Sequence, residues 1–221
     1  MMAAQTISGE LAQTYRQIEA LVMLTKCLPL RHPLPPMRGF AVSPDLALLL
    51  YELVHEHRPS LVVECGSGVS SLVIGYALKA LGAGHLISFE HEARAAERSV
   101  ALVGRHGLER QVQIVHAALQ ETHSAGESWK WYGLEVEETL VGKRAHLVFI
   151  DGPPGSLQPL ARYPALRRLA PFLAPDAVVV LDDVARPDEW AITERWLRED
   201  PRLTLQRIAH EKGTAILTRS H

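Results

Sequence analysis

The chain has 221 residues, 47% of them hydrophobic, and a formal net charge of −2. That is enough apolar material for one substantial core, and its scattered positive residues make no basic footprint of the kind a nucleic-acid backbone requires. Cys27 and Cys65 lie far apart and suggest neither a metal-type pair nor a disulfide framework, and no apolar run approaches the roughly 18 residues that span a bilayer. A cytoplasmic protein with no leader, no membrane partner and no nucleic-acid partner is expected.

In chain order, Leu11, Tyr15, Ile18, Leu21, Val22 and Leu24 fall at mostly helical spacing and predict an amphipathic helix over about 7–26. The stretch "LPLRHPLPP" then stops it, because proline runs favour extended geometry. Residues 1–36 are therefore expected to form an N-terminal helix and proline-rich strap beside a main domain over 37–221. A lid, a homodimer contact and simple packing stay open as roles for that helix. "SPDLALLLYELVHEH" predicts a second helix, with Ser43 at the N-cap and Pro44 in the first turn.

Short, continuously apolar strands are predicted at 61–64, 85–90, 111–117, 145–151 and 177–183, with helices near 70–81, 92–106, 157–170 and 188–199. This alternation predicts an α/β fold, a doubly wound and mostly parallel sheet with helices on both faces. The last stretch, "LTLQRIAHEKGTAILTR", gives two strand patterns around a break too short for a crossover helix, so the sheet should end in an antiparallel hairpin. Residues 119–135 read as a long irregular loop.

The chemistry starts at "VVECGSGVSS", 62–71. A glycine turn after a first strand can cradle a pyrophosphate, but Glu64 stands two residues before Gly66, where its carboxylate would repel phosphates and attract an ammonium. A cationic, phosphate-free cofactor fits better, and S-adenosylmethionine is one. This stretch resembles the first motif of class I S-adenosylmethionine-dependent methyltransferases, "ISFEHE" resembles their second strand, and the terminal hairpin matches them too. The resemblance covers about residues 43–219. It implies a Rossmann-like methyltransferase sheet, with Gly66, Ser67 and Gly68 against the cofactor and Glu90 accepting from both ribose hydroxyls. Glu64, Ser70, His91, Ala118 and Asp151 complete the expected cofactor edge. Cys65 is expected to be a buried filler rather than a nucleophile.

Two further stretches end strands in acids, "FIDGPPG" with Asp151 and "VVLDDVARPDE" with Asp182 and Asp183. In open α/β sheets ligands bind beyond the carboxyl ends of the strands, so if these two strands are neighbours the acids converge. Three hard oxygen ligands suit Mg²⁺ or another divalent cation. A dication there would acidify an acceptor hydroxyl and fix its attack angle. The layout resembles the divalent-cation-dependent O-methyltransferases of the catechol and macrolide-sugar types, which implies Asp151, Asp182 and Asp183 as ligands and Asp151 and Asp182 as catalytic groups. The catechol enzymes carry a lysine base soon after the first acid, whereas "DGPPGSLQPLARYPAL" has none. The proton acceptor is thus open among Asp151, a second carboxylate and water on the metal. "DGPPG" itself is similar to the glucuronoxylan O-methyltransferase group, which points to a sugar or glycan hydroxyl within a broader class of small-molecule acceptors.

Trp131 and Tyr132 can form an aromatic wall for a sugar ring or anchor their loop. Arg162 and Arg186 can meet an acidic substrate group or pair at the surface. His91 and His123 are possible bases by location, while His55 and His57 point apart on their helix. An NAD-dependent oxidoreductase of similar topology and a non-catalytic cofactor-binding module are the competing readings.

Overall fold

The computed structural model describes the backbone of residues 2–124 and 126–219 and the side chains of 9–123 and 126–219. The predicted helix over 7–26 is the central part of α1 (Met2–Cys27), with the side chain of Ile7 outside the described residues. Ala20, Leu24 and Leu28 are buried along this stretch, and α1 packs on α2 (Pro44–His57), while Leu11, Tyr15, Ile18 and Val22 stay exposed on α1. Ser43 occupies the N-cap of α2, but its hydroxyl goes to Asp45 Oδ1 at 2.6 Å instead of to the helix backbone.

The main sheet contains β1 (Leu61–Cys65), β2 (His85–Glu90), β3 (Val112–His116), β6 (Ala145–Ile150), β7 (Leu173–Asp182), β8 (Leu203–Ile208) and β9 (Thr214–Arg219). Its order is β3-β2-β1-β6-β7-β9-β8, parallel except for β9, which runs antiparallel to both neighbours. The doubly wound sheet and its terminal hairpin are as expected from the sequence. The chain steps outward from β1 to β3 and then returns to lay β6 against the other side of β1. The point where strand order reverses is therefore the β1/β6 boundary, the place where α/β sheets bind ligands.

Alternation along each strand divides the core. Val62, Leu147, Phe149, Val178 and Val180 face α1, α2, α3 (Val69–Leu81) and α4 (Ala93–His106). Val63, Cys65, Val148, Ile150, Val179 and Leu181 face the other layer, which includes α5 (Glu135–Leu140), α6 (Pro164–Leu169) and α7 (Pro187–Glu199). That strands buried on both faces lack polar alternation is the physical reason they read as continuous apolar runs.

Two expectations need correction. Residues 119–135 are not an irregular loop: β4 (Leu119–Ser124) and β5 (Glu127–Tyr132) form an antiparallel hairpin, and α5 starts at Glu135. Ala125 and the side chain of Ser124 lie outside the described residues. Trp129, Trp131 and Tyr132 drive this hairpin into the core, whereas the polar partners on β4 hide the strand period from a sequence reading. The helix expected over 157–170 is also much shorter. Pro159 breaks it and Pro164 restarts it, leaving a 3₁₀ turn at Gly155–Leu157, then α6 and a second 3₁₀ turn at Ala170–Phe172.

Candidate active site

The turn after β1 rests on Gly66 at φ 95° and Gly68 at φ 153°. A Cβ on Gly66 would lie 3.2 Å from the carbonyl carbon of Asp151, so this residue supplies both the positive φ and the close approach of the two strand-end turns. Backbone bonds fix the register: Gly66 N donates to Phe89 O at 2.8 Å, and Asp151 N donates to Cys65 O at 2.9 Å. Beneath the turn, Glu64 is 0% exposed and accepts a short hydrogen bond from Ser71 Oγ, which in turn accepts from Gly68 N at 3.1 Å. Burial raises the Glu64 carboxyl to about 7 despite the opposing pull of the Ser70, Ser71 and Ser88 hydroxyls. Glu64 thus sits under the loop and shapes it through Ser71, and Ser70 is buried beside it.

At the end of β2, Glu90 Oε2 accepts from Ser67 N at 3.1 Å and from Ser67 Oγ at 3.0 Å, and Oε1 accepts from Glu92 N at 3.1 Å. Glu90 Oε1 also lies 2.9 Å from His91 Nδ1. Burial works against its charge, but the hydrogen bonds from His91, Glu92 and Ser67 outweigh it and hold the carboxyl down at about 2. Glu90 is therefore a firm anion at the mouth of the glycine turn. Ala117 N donates to Glu90 O at 2.8 Å, and Ala118 O accepts from Gly133 N, which places Ala118 at the adjoining edge.

β6 and β7 are parallel neighbours, and the acids that follow them converge. One potential ligand oxygen from each of Asp151, Asp182 and Asp183 lies within 4.8 Å of the others. Asp183 is held at φ 66°, left-handed backbone that aspartate tolerates better than most residues and that turns it into the cluster just past the strand end. Burial and the neighbouring acids push both Asp151 and Asp182 well above the carboxylate range, with Arg162 opposing the rise at Asp151.

Arg162 takes neither of the roles expected for it. It is 3% exposed, and Nη2 donates to Asp151 Oδ1 at 3.1 Å and to Asp183 Oδ2 at 2.8 Å. The guanidinium also donates to the carbonyls of Asp151, Pro153 and Asp182 at 3.0, 3.4 and 3.1 Å. Glu189 Oε1 stands 4.0 Å from its Nε, and the half-exposed Arg186 reaches Asp183 Oδ2 at 3.0 Å. Lys212, on the β8–β9 turn, contributes positive charge to Asp151 and Asp182 while its Nζ donates to Gly39 O and Ala41 O at 3.0 and 2.8 Å.

The donor set fits a divalent cation. Asp182 Oδ2 and Asp183 Oδ1 are buried without a hydrogen-bond partner among the described residues, a costly state for two carboxylate oxygens unless a cation or proton satisfies them. Arg162 engages only the other oxygen of Asp183, so it does not use up the cluster.

The remaining candidates fall away from the chemistry or change role. Trp131 and Tyr132 are buried core residues 4.9 Å apart, anchors of the hairpin and not an open wall. His123 is exposed on β4, and Cys65 is buried with its thiol pushed up by burial, as befits a filler. Sequence reasoning missed Glu189 and Lys212 altogether. Glu189 lies in the first turn of α7 and Lys212 in the terminal hairpin, and only the fold brings them to the acids.

A family model described as a methyltransferase domain matches residues 63–184, which include the glycine turn, Glu90 and all three aspartates. No match was found among curated protein sequences. Several solved structures share the fold at low identity. The O-methyltransferase TomG from Streptomyces achromogenes, involved in tomaymycin synthesis and solved with S-adenosylmethionine, is 19% identical with a TM-score of 0.65, covering 95% of this chain and 96% of its own. The methyltransferase PaMTH1 of Podospora anserina, bound to S-adenosylhomocysteine, is 13% identical with a TM-score of 0.64, over 93% of this chain and 88% of its own. An O-methyltransferase from Bacillus cereus, also with S-adenosylhomocysteine, is 15% identical with a TM-score of 0.62, over 92% and 90%. The family match sets the oxidoreductase reading aside: this chain belongs to the methyltransferase-domain family and has the fold of the class I S-adenosylmethionine-dependent enzymes.

Proposed function

We propose that this methyltransferase transfers the methyl group of S-adenosylmethionine to a hydroxyl of a small molecule or sugar, with a divalent cation such as Mg²⁺ assisting at the acid cluster. The observation that carries this reading is the convergence of Asp151, Asp182 and Asp183 within 4.8 Å at the ends of β6, which adjoins the strand of the glycine turn, and β7, with two buried carboxylate oxygens unpartnered among the described residues.

The chain's own residues divide the work. Gly66 and Gly68 let backbone approach the cofactor, and Ser67 is fixed there by Glu90. Glu90, ionised and equipped with two acceptor oxygens, suits a ribose diol. Asp151 follows the strand adjacent to that loop, so an acceptor oxygen held at the aspartates would lie beside the cofactor's sulfonium end. A bound dication would lower the pKa of the acceptor hydroxyl and chelate it with a neighbouring oxygen. Asp151, at the strand end beside the glycine turn, and Asp182, at the end of the next strand, are the carboxylates placed to accept the departing proton.

A metal-free version of the same transfer has one observation in its favour: Arg162 already places a cation against Asp151 and Asp183. The two versions are separated by methyl-transfer assays on catechols, free sugars and glycans, run before and after exhaustive chelation. Activity that disappears on chelation and returns with Mg²⁺ supports the metal-assisted reading, and full activity after metal removal selects the metal-free one. Failure of properly folded protein to bind S-adenosylmethionine or S-adenosylhomocysteine in calorimetry would end both.

A further inference from the structure

We infer that Arg162 is a positioning residue for the acid cluster, a permanent internal cation that draws the β6 and β7 turns together and holds Asp151 and Asp183 in place before any ligand arrives. The inference rests on the proposed reading only in what the cluster is held ready for, a divalent cation.

Asp151, Asp182, Asp183 and Glu189 converge in a largely buried space, and like charges at such distances repel strongly in a low-dielectric setting. Among the described residues, Arg162, Arg186 and Lys212 face them. Arg186 is half exposed, and Lys212 is tied to the carbonyls of Gly39 and Ala41, which leaves Arg162 as the fully enclosed one. Its bonding is divided between the two turns: Asp151 Oδ1, Asp151 O and Pro153 O belong to the first, and Asp183 Oδ2 and Asp182 O to the second. A planar guanidinium can serve both sides at once because its donors point outward in a fixed fork, whereas an ammonium is a point charge. Arg162 occupies only one oxygen of Asp183, and Asp183 Oδ1 and Asp182 Oδ2 have no hydrogen-bond partner among the described residues. Arg162 thus bridges the two turns without occupying every oxygen of the cluster.

The sequence supports this assignment. Arg162 lies between Pro159 and Pro164, in the segment where prolines interrupt the expected crossover helix. Its neighbours Ala161 and Tyr163 are buried, so the segment is packed inward, with Arg162 delivered beneath the two turns and not into solvent.

The test compares thermal unfolding of chelated wild type, Arg162→Met and the double variant Arg162→Met/Asp183→Asn. Removing one partner of a buried ion pair leaves an uncompensated charge, so Arg162→Met should lower Tm by on the order of 10 °C. Removing one carboxylate in the same background should recover at least half of that loss, and saturating Mn²⁺ should raise the Tm of Arg162→Met by more than it raises that of wild type. A packing role alone predicts no rescue by Asp183→Asn. An unchanged Tm in Arg162→Met, or a double variant no more stable than the single one, would overturn the inference. If Arg162→Met is insoluble, a soluble, folded double variant supports the assignment and an insoluble one refutes it. Rescue by Asp183→Asn with no response to Mn²⁺ in any variant leaves Arg162 as the positioning cation and removes the divalent-cation reading.

Discussion

Gly66 and Asp151 are packed backbone to backbone: a Cβ on the glycine would stand 3.2 Å from the aspartate's carbonyl carbon and 3.3 Å from its oxygen. The glycine loop, the proposed cofactor cradle, and the turn that starts the acid cluster are thus one junction, held also by the hydrogen bond from Asp151 N to Cys65 O at 2.9 Å. Gly66→Ala adds a methyl group where no side chain atom could give way, at a φ of 95°. It should cost about 1–3 kcal/mol of stability and weaken S-adenosylhomocysteine binding by roughly tenfold or more. Denaturant unfolding and calorimetry on the same sample check both, and a variant that loses stability with unchanged affinity would separate the junction from the cofactor.

Glu90 makes a distinct prediction, because its charge is held by its own loop. Glu90→Gln keeps the shape but exchanges one acceptor oxygen for a donor and removes the anion that Ser67 and Glu92 stabilise. Affinity for S-adenosylhomocysteine should fall about 10- to 100-fold, the scale of one lost charge-assisted hydrogen-bond pair. Affinity for methionine alone should change little, since it lacks the ribose. Equal losses for both ligands would show that Glu90 acts only by shaping the turn.

Much of the fold was legible because the strands carry their own signal. Val62, Val63 and the 147–150 and 178–181 runs are apolar without interruption, as strands covered on both faces must be. Gly66, Gly68, Glu90 and the three aspartates were legible for a related reason: they occupy strand ends, and the parallel topology puts all those ends on one edge. The β4–β5 hairpin was not, since Gln120, Glu121 and Thr122 oppose Trp131, Lys130 and Trp129 and break the hydrophobic period. Arg162 was legible as an arginine but not as a buried one. Its charge argues for solvent, and only the meeting of two turns from distant segments supplies enough carboxylates and carbonyls to hold it inside.

Tyr132 offers a test of the hairpin's contact with the site. Its hydroxyl is buried without a partner among the described residues, and it lies where a Cβ on Gly152 would approach to 2.3 Å. Gly152→Ala should therefore be destabilising by about 1–3 kcal/mol. Tyr132→Phe removes the obstructing oxygen and an unsatisfied buried hydroxyl, so alone it should be neutral or mildly stabilising, and in the Gly152→Ala background it should restore part of the loss. Additive effects in the double variant would mean that the backbone of Cys65, 3.2 Å from the same position, is the true obstacle.

The acid cluster predicts how stability follows pH. Burial, with repulsion from neighbouring acids, raises Asp151 to about 7 and Asp182 to about 8 from the ordinary 3.8. Groups raised in the folded state hold protons that the unfolded chain has released, so the folded form loses ground as pH climbs from about 4 through 8. His106 and His210 act oppositely: burial lowers both below 6.5, and their contribution to stability grows as pH rises to that value and is complete above it. The window between pH 6.5 and 8.5 therefore isolates the carboxylates from the histidines. Chelated wild type should lose several degrees of Tm across it, and Asp182→Asn, which cannot ionise there, should lose distinctly less. Mg²⁺ or Mn²⁺ binds the deprotonated cluster, so its stabilising effect should increase over the same interval, with proton release visible as buffer-dependent heats in calorimetry. Parallel Tm profiles for wild type and Asp182→Asn would show that Asp182 is already ionised below the window, and with it would go the case for that residue as a proton acceptor.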